Sequence, residues 1–454
     1  MTRLRVLHAI HDFLPRHRAG SEIYASELCR ELARGHDVFV VCAEHDLTAP
    51  HGTIRWRLYE GLPVIEIVNN WQSDQFEETY LAPRIMAQLE HVLDVTRPDV
   101  LHVHNLLNLS FDLPRRARAR GIATVATLHD YTLVCAAGGQ RVHVAEAHLC
   151  ETIEPERCSR CVQDSMLHAQ TVAAGFARGP AGALFRWAAP IVRRTLPVLT
   201  DAAARRLPKP AATPQQLASR LDRAVRVFSE IDRFVAPSSA LADEYRRLGL
   251  PDDRLEVSDY GFVHMERAPR AMARGSVRFG FVGTLAWHKG AHVLIEAARG
   301  LRGSFEVTIA GDPNVGPEYA ARLKRAATGL PIRFSGRFER EGLPAAYAGI
   351  DVLIVPSLWL ENSPLVIHEA FMHGVAVVGS RLGGILDLVV DEVNGLTFEA
   401  GSATALAATL QRFIDDPDLA ARLASHAPDV KSIEDDAREW VTRYAAVLRA
   451  RQGS

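Results

Sequence analysis

What most constrains this chain is a recurring order: a short run rich in β-branched residues, an amphipathic stretch, then another short run. In the first half the runs are Arg5–Ile10, Asp37–Ala43, Asp99–Asn105, Ile122–Asp130, Arg233–Ser238 and Arg254–Gly261, with a helix expected from about Ser21 to Ala33. The second half repeats the order with Val277–Gly283, Phe305–Gly311, Ile332–Gly336, Asp351–Ser357 and Val375–Ser380. Strands that alternate with helices build parallel sheets, because a parallel neighbour is reached only by crossing over the sheet. The polar, basic stretch His264–Gly275 breaks the rhythm and reads as a linker. At 454 residues the chain exceeds what one core spans. The expected architecture is therefore α/β with two Rossmann-like domains, at 1–263 and 276–430. A last helix over 431–450 carries Trp440, Tyr444 and Val447 at helical spacing and has either domain available to pack on.

Composition narrows the partners. The 52 basic and 54 acidic residues leave a formal charge of -2, so no global field favours nucleic acid, and any anion site must be local. The segment Met1–Ile10 lacks the long apolar stretch and small-residue cleavage site of a secretory signal, and no apolar run is long enough to span a bilayer. A cytoplasmic protein is expected, with any membrane contact peripheral.

Ligands of open parallel sheets sit beyond the carboxyl ends of the strands. The informative residues fall there. In PSLWLENSPLVIHEAFMHG, Glu361 and Asn362 follow a buried strand, and Glu369 comes eight positions after Glu361, inside a helix. Ser363 suits an N-cap and Pro364 the first helical position, which would aim the amides of Leu365 and Val366 at an anion. Glu369 sits among Leu365, Val366, Ile367, Ala370 and Phe371, so an acid there needs a partner; a ribose along the helix would supply hydroxyls. In FVGTLAWHKGAHVLIEAA, Gly283 ends a strand, and Lys289 and Gly290 precede a helix, a loop that admits phosphate with a point charge beside it. In RHRAGSEIYASELCREL, Gly20 and Ser21 open the first helix. His129 and His104 each close a strand, where an imidazole can donate to a sugar hydroxyl. Taken singly, each feature is ordinary: surface acids, a helix-boundary glycine, strand-end histidines. Their joint occurrence after successive strands carries the weight.

Together these residues resemble the retaining glycosyltransferases of the GT-B fold, family four in the sequence-based classification, known also as glycosyl transferases group 1. The resemblance covers most of the chain and is strongest from Gly283 to Leu396, where Glu361, Glu369, Lys289–Gly290, Gly383–Gly384 and Asn394–Leu396 match the donor-domain pattern. It implies two Rossmann-like domains facing across a nucleotide-sugar cleft, and retention of anomeric configuration. It also implies Glu361 at the sugar, Glu369 at the ribose, Lys289 at the diphosphate, His129 at the sugar from the N-terminal domain and Gly20 on the phosphate side. Many members carry Arg where this chain has Thr284; Arg337 and His288 are the candidates to replace that cation. Lys289 with oriented amides can stabilise the departing diphosphate, so no cofactor is expected for the chemistry. The expected partners are a uridine- or guanosine-diphosphate sugar and a saccharide, lipid-linked saccharide or metabolite acceptor, with no nucleic acid. A nucleotide-sugar epimerase, a phosphorylase and a two-domain sugar-binding protein are the competing readings.

Two further features lie in an insertion expected over 131–215. Cys135, Cys150, Cys158 and Cys161, the last two as CSRC, can supply four thiolates to structural zinc or an iron-sulfur cluster; free thiols or a redox disulfide are the alternatives. A cysteine-bearing insertion after the HDY segment resembles one in a subset of these transferases. Ala181–Pro210 holds six basic residues against one acid, interleaved with Leu184, Phe185, Trp187, Ile191 and Leu199. It suits either an anionic membrane surface at the inner face or a solvated helical excursion.

Overall fold

The structure, a computed structural model, describes residues 3–165, 212–269 and 275–452. The basic stretch Ala181–Pro210 lies outside them. The chain divides into two compact units: Met1–Pro237 with Ala242–Gly261 and Ile433–Ser454, and Ser238–Leu241 with Phe262–Ser432.

The first unit is built on eight strands: β1 (Arg5–Ile10), β2 (Asp37–Glu44), β3 (Ile54–Tyr59), β4 (Leu62–Val68), β5 (Val100–Val103), β6 (Ala123–Thr127), β9 (Arg233–Ala236) and β10 (Leu255–Val257). Between β6 and β9 a small hairpin, β7 (Val142–His143) with β8 (His148–Leu149), stands apart from the sheet. The sheet order is β10-β9-β6-β5-β1-β2-β4-β3. Every pair is parallel except β3 with β4. The β3–β4 hairpin is absent from the expected runs. Its two-residue turn, Glu60 (φ 47°) and Gly61 (φ 83°), has the left-handed geometry of a tight hairpin, and β3 turns Arg55 and Arg57 toward Asp46 and Glu66 while exposing Trp56 and Leu58, the reverse of the usual alternation.

The second unit has six strands, all parallel: β11 (Val277–Val282), β12 (Phe305–Ala310), β13 (Ile332–Gly336), β14 (Val352–Val355), β15 (Ala376–Ser380) and β16 (Gly395–Phe398), in the order β13-β12-β11-β14-β15-β16. Strand periodicity splits its core in two. Val352, Ile354, Ala376 and Val378 face one apolar layer, while Leu353, Val355 and Val377 face the other. From β11 the chain moves outward to β12 and β13, then returns to β14 on the other flank of β11. The switch between β11 and β14 opens a crevice at their carboxyl ends.

The C-terminal helix, Ile433–Gln452, belongs to the first unit. Its Asp436 accepts from the Tyr24 hydroxyl (2.8 Å) and the Gly261 amide (3.2 Å), and Trp440 Nε1 donates to Tyr24 Oη (3.0 Å). Tyr444 Oη pairs with His102 Nδ1 at 2.7 Å. Asp436, Trp440 and Tyr444 are buried, so the helix docks through satisfied polar groups as well as apolar area. Asp436→Ala strands the Tyr24 hydroxyl and the Gly261 amide without their carboxylate. It should cost roughly 2–4 kcal/mol by urea denaturation, given about 1–3 kcal/mol for each buried group left unpaired. A loss under half a kcal/mol would show that the helix is held by its apolar face alone.

Candidate active site

In the second unit the loops after β11 and β14 meet at the switch point. Gly283 follows directly after β11, a 3₁₀ turn carries Trp287–Lys289, and the helix Ala291–Ala298 follows. Gly290 has φ 74°, and a Cβ there would run into the carbonyl oxygen of Pro356, just past β14. Only glycine lets the two loops approach this closely. Leu358 N–H donates to His288 O at 2.7 Å and ties them together. The result is an ion pair: Lys289 Nζ lies 2.7 Å from Glu361 Oε1, with Glu361 only 5% exposed. Ser357 Oγ donates to the same oxygen at 2.6 Å, and Lys289 sits over the Trp359 ring. Among the described residues, the indole N–H of Trp359 is buried without an acceptor.

The next layer fixes the backbone behind Glu361. Gly384 N–H donates to Glu361 O at 2.7 Å, and a Cβ on Gly384 would collide with Asn362 O. The Gly383–Gly384 pair therefore acts as a backbone seat for the Glu361–Asn362 loop. Asn394 closes a turn with its own side chain, accepting from Val390 N–H (2.8 Å) and donating to Leu388 O (2.9 Å). It shapes the neighbouring loop.

The helix that follows runs Leu365–Met372 with Pro364 at its N-cap, one residue later than expected. Ser363 does not cap it. Its hydroxyl pairs with His368 Nε2 at 2.8 Å. Leu365 and Val366 are the first two helical residues, so their amides have no intrahelical acceptor. One turn on, Glu369 Oε2 accepts from Tyr347 Oη at 2.7 Å. Tyr347 is the partner that an acid in an apolar helix required. Although Glu369 keeps some exposed surface, desolvation of its carboxyl pushes the pKa up to about 7 against the opposing pull of Tyr347 and Arg340. Tyr347, Arg340, Ser357 and Trp359 were not singled out from the sequence. Tyr347 and Arg340 reach the site from the β13–β14 crossover, and no local motif marks them.

The two candidates for a second cation differ. Burial and the neighbouring Lys289 hold His288 down to about 4, so it is a neutral imidazole near neutral pH and supplies no charge there. Arg337 is exposed on the turn after β13.

In the first unit, Gly20 is exposed at the first position of the helix Gly20–Leu32. Glu22 reaches back to the Ala19 amide at 2.7 Å. His129 and His104 follow β6 and β5, and they belong to a row that crosses adjacent strand ends. His8 Nδ1 pairs with His104 Nε2, His104 Nδ1 with His129 Nε2, and His129 Nδ1 with Tyr260 Oη, each at 2.9 Å. His102 is held by Tyr444 and by Thr127 Oγ1 at 2.8 Å. Burial holds His8 and His129 at about 3 and takes His102 and His104 well below the ordinary value. All four are therefore neutral, and each junction needs one donor and one acceptor nitrogen. His8, His102 and His104 lie within 4.8 Å of one another, but the nitrogens of His102 and His104 are committed to hydrogen bonds, which leaves no converging lone pairs for an ion.

With this geometry established, the sequence comparisons decide the family. Residues 18–162 match the family described as Glycosyltransferase Family 4, and 266–430 match Glycosyl transferases group 1. The chain belongs to glycosyltransferase family 4. It is 31% identical over 274 residues to a D-inositol 3-phosphate glycosyltransferase of Salinispora arenicola, covering 53% of this chain and 59% of the relative. It is also 31% identical over 183 residues to a GDP-mannose-dependent alpha-mannosyltransferase of Corynebacterium glutamicum, covering 38% and 42%. The chain thus spans about half the length of the curated relatives it matches. Among solved structures, that of Anabaena HepE in complex with UDP and glucose aligns over 100% of both chains at 15% identity and a TM-score of 0.61. A sucrose-phosphate synthase of Thermosynechococcus elongatus aligns over 99% of this chain and 98% of its own, at 16% identity and a TM-score of 0.62. At such identities the likeness is one of fold, and the fold is GT-B. No described helix is long and apolar enough to cross a membrane.

Two pH effects follow for this family member. Glu369 binds its proton more tightly folded than unfolded, so it withdraws stability as pH rises from its ordinary 4.5 to about 7. Melting temperatures of Glu369→Gln and the parent should therefore diverge in favour of the variant across that window and run parallel below it. A constant offset would refute the shift. The buried neutral histidines act in the opposite sense. Their folded pKa is depressed, so the stability they contribute is present above about 6.5 and lost as pH falls below it, at about 1.4 kcal/mol per pH unit for each. His8→Asn should make the acid limb of stability against pH shallower by about that one-proton slope, measured by denaturant titration from about pH 6 to about pH 4.5.

Proposed function

We propose that this chain is a retaining glycosyltransferase, moving a sugar from a uridine- or guanosine-diphosphate donor held by the second unit to a hydroxyl of a saccharide, lipid-linked saccharide or metabolite. The observation that carries the reading is the convergence at the β11–β14 switch point of Lys289, Glu361, the free amides of Leu365 and Val366, and the carboxyl of Glu369. A diphosphate beside Lys289 and the helix N-terminus meets a cation and two donors. Glu369, on the same helix, is set to accept from ribose hydroxyls. Glu361 is oriented by Ser357 and the Gly384 amide, and it faces the sugar once Lys289 turns to phosphate. Gly283 and Asn362 line the same loops. The relatives' names agree with a nucleotide-sugar donor, and the HepE structure holds UDP and glucose.

In the reaction the bond between the anomeric carbon and the diphosphate oxygen breaks, and the acceptor oxygen bonds to the same face of that carbon. The acceptor proton passes to the departing phosphate oxygen. Lys289 and the two amides stabilise the charge that develops there. The assignments of His129 to the sugar and Gly20 to the phosphate side rest on family resemblance. Both ring nitrogens of His129 are engaged by His104 and Tyr260. A role in polysaccharide or glycoconjugate synthesis, in the cytoplasm beside the inner membrane face, rests on sequence alone.

Calorimetric titration with a panel of uridine- and guanosine-diphosphate sugars tests the reading. One donor should bind selectively, and Glu369→Ala should weaken it about 10-fold or more, since a hydrogen bond to a charged group contributes about 1.5–3 kcal/mol. Failure of every donor to bind, or unchanged affinity in the variant, would remove the donor-site assignment.

A further inference from the structure

The cysteines after His129–Asp130 are not used by the transferase reading. Cys135 lies in the turn that follows β6, with its amide donating to Tyr131 O at 2.7 Å. The β7–β8 hairpin delivers Cys150, whose amide donates to Arg141 O at 2.8 Å. Cys158 and Cys161 stand one turn apart on the helix Pro155–Asp164, and Cys161 Sγ contacts Val142 O at 3.9 Å, which seats that helix on the hairpin. Ala136 and Ala137, next to Cys135, pack into the same small apolar cluster as Cys158, Val162 and Leu217. Three separate segments thus bring four half-buried, unbridged thiols together, and all six sulfur pairs are close enough to interact electrostatically.

A second observation concerns charge. Arg220, on the helix Pro214–Glu230, is 5% exposed, donates to the carbonyls of Thr132 (2.8 Å) and Leu133 (3.2 Å), and lies over the Phe111 ring at 5.0 Å. Among the described residues it forms no ion pair with a carboxylate, unlike Arg141, paired with Glu244, and Arg157, paired with Glu146. A guanidinium cannot shed its charge at neutral pH, so burying it without an anion is costly. The favourable electrostatic neighbours of Arg220 include Cys135 and Cys158, while Arg141 and Arg157 act on Cys150. Neutral thiols would offer these cations little. Four thiolates around a dication carry a net charge of about −2, which matches a buried arginine beside them.

We propose that Cys135, Cys150, Cys158 and Cys161 form a closed structural zinc site, with Arg220 as its buried countercation. No three of these sulfurs lie mutually within 4.8 Å among the described residues, so capture of the ion would draw the turn, hairpin and helix inward, releasing the four thiol protons to solvent. With every coordination position taken by sulfur, the ion would serve structure rather than chemistry. What it would hold is the segment that leaves the His129–Asp130 corner, where Tyr131 N–H meets Gly139 O and Tyr245 Oη meets Asp130 O.

Elemental analysis of the purified full chain tests the proposal and does not depend on any transferase activity. One zinc per chain is expected, with Cys158→Ser/Cys161→Ser losing it and Cys29→Ser/Cys42→Ser keeping it. Should the first variant fail to fold, cobalt exchange of the unaltered protein gives the same answer, because tetrahedral four-thiolate cobalt has intense visible and charge-transfer absorption. Chelation should lower the melting temperature and open the segment 136–154 to protease. A metal-free chain whose thiols all titrate freely, a disulfide among the four, or iron with the broad absorption of a cluster would each overturn the zinc assignment.

Discussion

The close approach of two parallel strand ends in the second unit is the constraint on which the candidate site depends. Gly290 brings the loop after β11 against the carbonyl of Pro356 after β14, and only then can Lys289 reach Glu361. A carboxylate buried to that degree would carry a prohibitive desolvation cost alone; an ammonium and a hydroxyl on one of its oxygens offset that cost. The pair leaves a cation and an anion waiting at the mouth of the switch point, each pre-oriented by backbone. The Gly383–Gly384 seat serves the same end from the opposite side, because a side chain there would displace Asn362 and with it Glu361.

The first unit solves a different problem. It buries four histidines across adjacent strand ends and satisfies them mainly with one another, with Tyr260, and with a helix drawn from the far end of the chain. Neutral imidazoles are tolerable in such a place because each can donate at one nitrogen and accept at the other. The order that results is cooperative: changing which nitrogen of His129 carries the proton obliges His104 and His8 to change with it. A row of this kind holds the His129 ring far more firmly than a single strand-end histidine would be held.

Much of the architecture was legible from periodicity. The runs Arg5–Ile10 and Ile332–Gly336 coincide with strands residue for residue, eight further expected runs contain strands, and Asp37–Ala43 stops one residue short of the end of β2. The β3–β4 hairpin escaped because β3 reverses the usual alternation, pairing its arginines with Asp46 and Glu66 and exposing Trp56 and Leu58, and β16 because four residues leave little pattern to read. At the site, Lys289, Glu361 and Glu369 were legible because the residue type and the strand-end position agree. The helix cap was misread by one residue: Ser363 has the right chemistry for an N-cap, but a histidine one turn on competes for its hydroxyl. His288 was a reasonable cation by proximity, and burial makes it neutral.

The amino-acid sequence by itself determined the parallel α/β class, the two windings, and the kinds of group that stand after each strand, since these depend on local periodicity and on residue chemistry. Tertiary structure alone decided who pairs with whom. That Tyr347 meets Glu369, that Arg220 is buried with no carboxylate paired to it among the described residues, and that Asp436 receives Tyr24 across 412 positions are facts of packing. No local pattern encodes them, because burial, which sets the strength and the protonation of each of these groups, exists only once the distant segments have come together.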